Sequence, residues 1–215
     1  MTRPTRRDVL ATGVALAGAT AGCLSQGSDG GQSPSTTPTG ETLPTPVAGD
    51  PDADVTVAVF EDYACPHCQT YSVEVYPQIA EAFLAGGAVR YEFHDFPIPV
   101  DEAVSWQAAS AARAVQDAAG DAAFFTYSKR LFENQASLGP EAYAELTDGL
   151  NVDGEPVRQA AVDEQYRPTV AADRQAGIDS GVEGTPTVFV NGDPVEWREI
   201  AFEPVRDAIE SARGT

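Results

Sequence analysis

Two cysteines separated by two residues, Cys65 and Cys68, are the side chains of this sequence best suited to chemistry. At this spacing they lie one helical turn apart, close enough to form a disulfide. Pro66 suits the first position of a helix, because its fixed φ fits and its missing N–H would have no partner there. The Cys65 sulfur would then lie at the positive end of a helix, which favours the thiolate and lowers the cysteine pKa. A protonated His67 would add to this effect.

A strand before the cysteines and a helix after them are predicted to hold the pair in place. Residues 55–60 form an almost continuous apolar run, which is typical of a strand buried on both faces. Apolar side chains then recur at helical spacing as far as Phe83, and Gly86 and Gly87 are expected to end that helix. Residues 88–94 alternate between apolar and polar, which predicts a second strand and a parallel β-α-β unit.

Two other interpretations of the cysteine pair stay open at this point. The pair could be half of a zinc site, but the chain has no second Cys-x-x-Cys and only two histidines. It could also be a purely structural disulfide. The strand before the pair and the helix after it favour a redox-active dithiol over both.

The charge of the chain argues against nucleic-acid binding. The net charge is -20, from 33 acidic and 13 basic residues, whereas phosphate contacts need clustered Lys and Arg. Lys129 is the single lysine. An acid-rich and lysine-poor composition resembles that of halophilic proteins, where dense salt screens the self-repulsion. An ordinary acidic secreted protein is the alternative, and in either case the charge concerns solubility and not the reaction.

Residues 1–23 are predicted to be an export signal. Arginines open the segment, and the uncharged stretch of residues 9–21 is too short for a confident membrane span. Residues 5–10, Thr-Arg-Arg-Asp-Val-Leu, resemble the twin-arginine motif. Residues 20–23, Thr-Ala-Gly-Cys, resemble a lipobox, which implies that Cys23 is lipidated. Cleavage without lipidation and an uncleaved anchor are the alternatives, and every version predicts a domain outside the cytoplasmic membrane, where disulfides persist.

The rest of the chain divides into a linker and one folded domain. Residues 24–50 are rich in Ser, Gly, Thr, Pro and Gln and are expected to form a flexible tether without fixed structure. The domain is predicted to occupy residues 51–215. Residues 101–180 look helical throughout and interrupt the α/β pattern. A strand at residues 187–190, an Asn-Gly turn and a returning strand at 195–197 then precede a last helix.

The order β-α-β, helical block, β-β-α resembles the thioredoxin fold, and the helical block resembles that of the DsbA-type thiol–disulfide oxidoreductases. Two motifs carry this resemblance: Phe-Glu-Asp-Tyr-Ala-Cys-Pro-His-Cys at residues 60–68, and Gly-Val-Glu-Gly-Thr-Pro-Thr-Val-Phe-Val-Asn-Gly at residues 181–192. The expected fold class is therefore α/β, a thioredoxin fold with an inserted helical subdomain. The expected catalytic residues are Cys65, Pro66, His67 and Cys68.

The resemblance also implies a substrate-binding loop at Thr185 and Pro186. In the family the proline of Thr-Pro is cis and packs against the redox pair, and the Thr185 backbone offers an edge to which a substrate strand can add. A trans proline that opens a strand is the alternative.

The function implied by the resemblance is extracytoplasmic thiol–disulfide exchange with protein thiols, with oxidation as the favoured direction. No bound cofactor is implied, because the cysteines carry the electrons. A membrane redox partner would recycle the pair, and a lipid on Cys23 would anchor the chain to the membrane. The alternatives are a reductase or isomerase, for example in cytochrome maturation, and a non-catalytic binding module that uses the Thr185–Pro186 groove.

One position departs from the family pattern. The family often has a buried acid six residues before the first cysteine, and this sequence has Val59 there. Glu61 and Asp62 are displaced from that position and are expected to face elsewhere. Water is therefore favoured over Glu61 as the group that takes the proton from Cys68. His94 is expected to be a surface or capping histidine.

Overall fold

A five-stranded mixed sheet lies at the centre of the computed structural model, which describes residues 42–214. The strands are β1 Val47–Gly49, β2 Thr56–Glu61, β3 Arg90–Asp95, β4 Thr187–Val190 and β5 Asp193–Pro194. Their spatial order is β1-β3-β2-β4-β5. β2 and β3 pair in parallel, and the other three pairings are antiparallel. The predicted α/β fold with its parallel β-α-β unit is confirmed.

The described residues contain eight α-helical segments, in chain order α1 Pro66–Thr70, α2 Tyr76–Ile79, α3 Glu102–Ala119, α4 Asp121–Glu133, α5 Pro140–Glu145, α6 Gly154–Val162, α7 Arg167–Asp179 and α8 Phe202–Ala212. The first two belong to one continuous helix, residues 66–84, which we call the cysteine helix. Its other turns, Tyr71–Val75 and Ala80–Leu84, are π-helical. Pro77 lies in this helix and has no N–H to donate, and the wider turns accommodate the missing bond.

The two faces of β2 bury different side chains, because successive residues of a strand point to opposite sides of the sheet. Val57, Val59 and the other large apolar side chains beneath the cysteine helix form the main core. Phe60 points to the opposite face and packs in a smaller cluster with Phe96. Helix α7 covers that face closely: a Cβ on Gly177 would lie 2.6 Å from the Phe96 ring. Glycine is therefore required for this contact.

The helical insertion consists of α3 to α7, and a buried arginine joins it to the sheet. The side chain of Arg113 is 0% exposed; its Nε donates to Asp95 at the end of β3 at 2.7 Å, and its Nη2 donates to Asp173 of α7 at 2.5 Å. His94 lies 3.6 Å from both Asp173 and Glu92, with 13% of its side chain exposed. The expectation of a surface or capping histidine was therefore wrong, because these carboxylates enclose the ring.

The end of the predicted linker belongs to the folded domain. Residues 47–49 form β1, which adds to the edge of β3, and Pro46 is buried with its carbonyl oxygen accepting the N–H of Phe93. The carbonyl oxygen of Pro44 accepts a 3.0 Å hydrogen bond from Gln116 of α3. Polar composition suggested a tether through residue 50, but backbone pairing does not depend on apolar side chains. Residues 24–41 of that prediction lie outside the described part of the chain.

The hairpin after β4 is shorter on its second side than the sequence suggested. The turn at Asn191 and Gly192 is present, with φ of 50° and 87°. It places Asp193 opposite Val190, so β5 comprises residues 193–194 rather than the predicted 195–197. A single further bond joins the N–H of Val195 to Val188 at 2.8 Å. The chain then leaves the sheet, and the ring of Trp197 packs 5.8 Å from that of Tyr71.

Candidate active site

Cys65 caps the amino end of the cysteine helix. β2 ends at Glu61, and the turn that follows is closed by a 3.0 Å hydrogen bond from the Cys65 N–H to the Asp62 carbonyl. Cys65 is extended, with φ of -81° and ψ of 120°, and Pro66 occupies the first helical position. The sulfur therefore lies beside backbone N–H groups that have no partner within the helix. The predicted strand-to-helix junction is confirmed.

The environment of Cys65 favours its thiolate. The pKa of Cys65 is lowered from its ordinary value of 9.0 to about 5, chiefly by a hydrogen bond from the Cys68 thiol and against the effect of burial. Donation from Thr185 and from the backbone N–H groups of Cys68 and His67 lowers the pKa further. The side chains of His67 and Pro66 are exposed. His67 thus contributes through its backbone N–H, and its imidazole, which was expected to add to the effect when protonated, is exposed.

Cys68 has the opposite character. It is 0% exposed and accepts a 3.4 Å hydrogen bond from the N–H of Asp62. Burial raises its pKa well above the ordinary value, and the hydrogen bond to Cys65 and the nearby Glu61 carboxylate raise it further. Both cysteines are free thiols in the structure. The pair therefore joins a stabilised thiolate to a thiol that strongly retains its proton.

Glu61 is close enough to act electrostatically on both cysteines, contrary to the expectation that it faces elsewhere. It is 1% exposed, and the Ser72 hydroxyl lies within hydrogen-bond distance of both its carboxylate oxygens, at 3.0 and 2.8 Å, and donates its single proton to them. The expectation was wrong because Glu61 is two residues after Val59, and residues two apart in a strand share a face. Burial is the main reason that the pKa of Glu61 is raised well above its ordinary value, and the charge of Cys65 adds to it.

A narrow cavity leads from Glu61 towards the surface. It is lined by Glu61, Ser72, Tyr76, Phe125, Ser128 and the exposed Lys129, among others. The space open to the centre of a water molecule is about 10 Å³. That is roughly the minimum needed for one water. The cavity therefore has room for about one water beside Glu61.

Asp62 organises the turn that carries Cys65, a role that sequence reasoning missed. Its carboxylate accepts hydrogen bonds from the N–H of Ala64 and the N–H of Ile98, each at 2.8 Å, and from the Ser105 hydroxyl at 2.9 Å. These bonds join the turn to the loop after β3 and to the start of the helical insertion. A carboxylate three residues before a Cys-x-x-Cys is a local signal that could have suggested such a turn.

The loop before β4 forms the other wall of the site. The Thr185–Pro186 peptide is cis, as the resemblance predicted. The Cys65 thiol donates a 3.4 Å hydrogen bond to the Thr185 carbonyl oxygen. The buried Thr185 hydroxyl has no hydrogen-bond partner within residues 42–214 while Cys65 is a thiol, so it is available to donate to the Cys65 thiolate and thereby lowers the pKa of Cys65. The two sequence motifs are thus brought into contact.

Beside this loop, an open cavity of about 480 Å³ is lined by His67, Thr70, Thr185, Pro186, Trp197 and Arg198, among others. One of its walls is Thr185, whose carbonyl oxygen contacts the Cys65 sulfur, and it is large enough to receive side chains of an extended peptide.

Cys23, the predicted lipidation site, lies outside the described residues. Within residues 42–214, no three His, Cys, Asp or Glu side chains are grouped so as to hold a metal ion. No helix in the same range is long and apolar enough to cross a membrane.

Comparison with known proteins agrees with this geometry. A family model described as Thioredoxin matches residues 41–211. Disulfide bond formation protein D of Bacillus subtilis (strain 168) is 28% identical over 174 residues, which cover 77% of this chain and 75% of the relative.

Solved structures agree as well. Oxidised BdbD from Bacillus subtilis superposes with a TM-score of 0.72 and 25% identity, covering 80% of this chain and 94% of BdbD. Chlamydia trachomatis DsbA gives a TM-score of 0.67 at 21% identity, covering 84% of this chain and 98% of DsbA, and supports the fold. Together with the Cys-Pro-His-Cys geometry, these matches show that the chain belongs to the thioredoxin family and is a thiol–disulfide oxidoreductase of the DsbA type.

Proposed function

We propose that this chain is an extracytoplasmic oxidase that passes the Cys65–Cys68 disulfide to the thiols of exported proteins. The observation that carries the proposal is the contrast between the two thiols, with the pKa of Cys65 lowered to about 5 and that of Cys68 raised. A stabilised Cys65 thiolate makes the reduced pair favourable, so the disulfide is a strong oxidant. The similarity to Disulfide bond formation protein D supports the same direction.

The reaction proceeds in two exchanges. A substrate thiolate attacks the Sγ of Cys65; the Cys65–Cys68 bond breaks, and Cys68 leaves with the electron pair. A second substrate thiolate then attacks the substrate sulfur of the mixed disulfide, and Cys65 leaves as a thiolate. The substrate has lost two electrons and two protons and gained a disulfide, and the pair has gained the two electrons. The cavity beside Thr185 and Pro186 would hold the substrate chain around its cysteine.

We propose Glu61 as the proton-transfer group for Cys68. When Cys68 leaves, its high pKa requires a proton, and the buried Glu61, whose own pKa is raised, can supply one. In the reverse step, when Cys68 attacks a mixed disulfide, Glu61 takes the proton back. The bonds from Ser72 would stabilise the carboxylate formed in between. Glu61 is therefore favoured over water in this role.

Export and anchoring remain part of the proposal. The arginines and apolar stretch of residues 1–23 support export, and the lipobox-like end supports lipidation of Cys23 at the outer face of the cytoplasmic membrane. A membrane redox partner would then reoxidise the pair.

The test is a redox titration of the whole chain with Cys23→Ser, so that only Cys65 and Cys68 report. The reduction potential is measured against glutathione buffers at pH 7. We expect a value well above the roughly -270 mV of a thioredoxin. A value at or below that level would overturn the oxidase and indicate a reductase. If the cysteine pair shows no two-electron redox transition at all, the oxidase and the reductase are both refuted, and the non-catalytic binding module is the remaining function.

A further inference from the structure

The helical insertion reaches the redox pair through a short turn after α4. This turn, Gln135–Ser137, is a single turn of 3-10 helix. The side-chain Nε2 of Gln135 donates two hydrogen bonds, to the carbonyl oxygens of Tyr63 and Cys65, each at 2.9 Å. One side chain of the insertion therefore holds the backbone on both sides of Ala64, where the chain enters the cysteine helix.

We propose that Gln135 is a positioning residue that keeps the Cys65 thiolate stable, and that the insertion thereby sets the oxidising strength of the pair. The proposal concerns the site of the proposed function, and it rests on that function only for the link to oxidising strength. Gln135 does not touch the sulfur, so its effect acts through the backbone of Cys65.

The physical reason is the charge on the two carbonyl oxygens. A carbonyl oxygen carries partial negative charge, and one of the two belongs to the same residue as the thiolate. The amide of Gln135 places N–H dipoles against both oxygens and so reduces their repulsion of the sulfur. It also fixes the extended conformation of Cys65, in which the N–H groups of His67 and Cys68 reach the sulfur. Both effects lower the pKa of Cys65.

Neighbouring bonds join the insertion to the segment around the cysteines without involving Gln135. Gln69 of α1 donates in the opposite direction, from its Nε2 to the Phe132 carbonyl at 2.8 Å. The Tyr63 hydroxyl donates to Ser128 of α4 at 3.0 Å. The junction therefore contains bonds that join the same two elements without involving the two carbonyl oxygens, and these can be removed separately.

The decisive variant is Gln135→Met, which keeps the length of the side chain and removes the donor. The pKa of Cys65 is read from the pH dependence of iodoacetamide alkylation of the reduced whole chain carrying Cys23→Ser. We expect the inflection to rise by about one pH unit. At pH 7 the equilibrium with glutathione should then shift about tenfold towards the oxidised protein, which is equivalent to about 30 mV.

Two matched variants separate positioning from stability. Gln69→Met breaks the bond to Phe132 and should lower the melting temperature without moving the alkylation inflection. Gln78→Met removes an exposed glutamine of the same helix, bonded only to the Glu74 carbonyl among the hydrogen bonds of the described residues, and should change neither quantity. If Gln135→Met does not fold, Gln135→Asn takes its place, because its shorter side chain cannot reach both oxygens.

The proposal would be overturned if the Gln135 variant left the inflection pH of the Cys65 alkylation profile unchanged. It would also be overturned if Gln69→Met raised that pH by the same amount. The alkylation profile requires only a reduced Cys65. A chain that failed to exchange with glutathione would therefore refute the proposed function and still decide the role of Gln135.

Discussion

Acid should remove a stabilising contribution that only the reduced protein possesses. The thiolate of Cys65 is favoured by folding, because its pKa falls from 9.0 to about 5 in the folded chain. A group whose pKa is lowered by folding contributes its full stabilisation when the pH is above the pKa of the unfolded chain. That contribution is lost as the pH falls through the pKa of the folded chain. The oxidised protein has no thiol at this position and serves as the reference. The difference in unfolding free energy between the two forms therefore isolates the cysteines.

The magnitude follows from the two pKa values. Between pH 5 and pH 7 the folded Cys65 is ionised and the unfolded one is not, so each pH unit adds about 1.36 kcal/mol to the stability of the reduced form. The gain from pH 4 to pH 7 should be about 3 kcal/mol. Cys65 is 4% exposed, so screening by solvent is small. The effect of burial on Glu61 is present in both forms and cancels in the difference, whereas the charge of Cys65 raises the pKa of Glu61 only in the reduced form and makes the slope somewhat smaller.

The assay is urea unfolding of the reduced and oxidised whole chain, with Cys23→Ser, at half-unit intervals from pH 4 to pH 7. The constraint that the disulfide places on the unfolded chain adds a constant offset and no slope. Cys65→Ser, studied in the reduced state, is the control, and its pH dependence should follow that of the oxidised protein. A difference between reduced and oxidised wild type that stays flat across this range would refute the assignment of a stabilised thiolate.

Two further predictions concern buried charges. Glu61→Gln keeps a partner for Ser72 but cannot take a proton, so attack by Cys68 on a preformed Cys65–glutathione mixed disulfide should slow by about tenfold to 100-fold. The rate is measured by rapid quench and compared with that of Glu74→Gln, a variant at an exposed position of the cysteine helix. Equal rates in the two variants would argue against proton transfer by Glu61. Arg113→Met leaves Asp95 buried without its cation and should cost about 3–5 kcal/mol in urea unfolding at pH 7. Burial already raises the pKa of Asp95, so the loss of unfolding free energy in Arg113→Met should become smaller as the pH falls and the carboxyl takes up a proton. A loss no larger than that in Arg158→Met, which breaks a surface ion pair with Glu155, would contradict the role given to Arg113.

The local patterns of the sequence predicted the site well, and long-range contacts limited the rest. The strand, Pro66 and the helix after it are encoded within a few residues, so the position of Cys65 followed directly. The Thr185–Pro186 loop followed from its motif. Gln135 could not be predicted, because its partners lie about 70 residues earlier in the chain and an isolated glutamine in a polar turn has no distinctive pattern.

Two errors had simple physical origins. Glu61 was misplaced because a shift of two residues was treated as a change of face, whereas strand geometry returns the side chain to the same face. The segment before residue 50 was assigned to the linker because its composition is polar and proline-rich. Its contacts are made mainly by backbone groups, such as the Pro44 and Pro46 carbonyl oxygens, which composition does not reveal.

The attachment of this segment bears on how the domain would be presented at a membrane. β1 is antiparallel to β3, and Val47 pairs with Glu92, so the chain enters the domain near the carboxyl end of β3. Cys65 follows the carboxyl end of the parallel strand β2. If Cys23 carries the lipid, residues 24–41 can span at most about 60 Å even when fully extended, whereas a tether running to residue 50 could span about 90 Å. The redox pair and the point at which the chain enters the domain lie at the same end of the sheet, so under the proposed anchor the shorter tether would limit how far Cys65 can move from the bilayer.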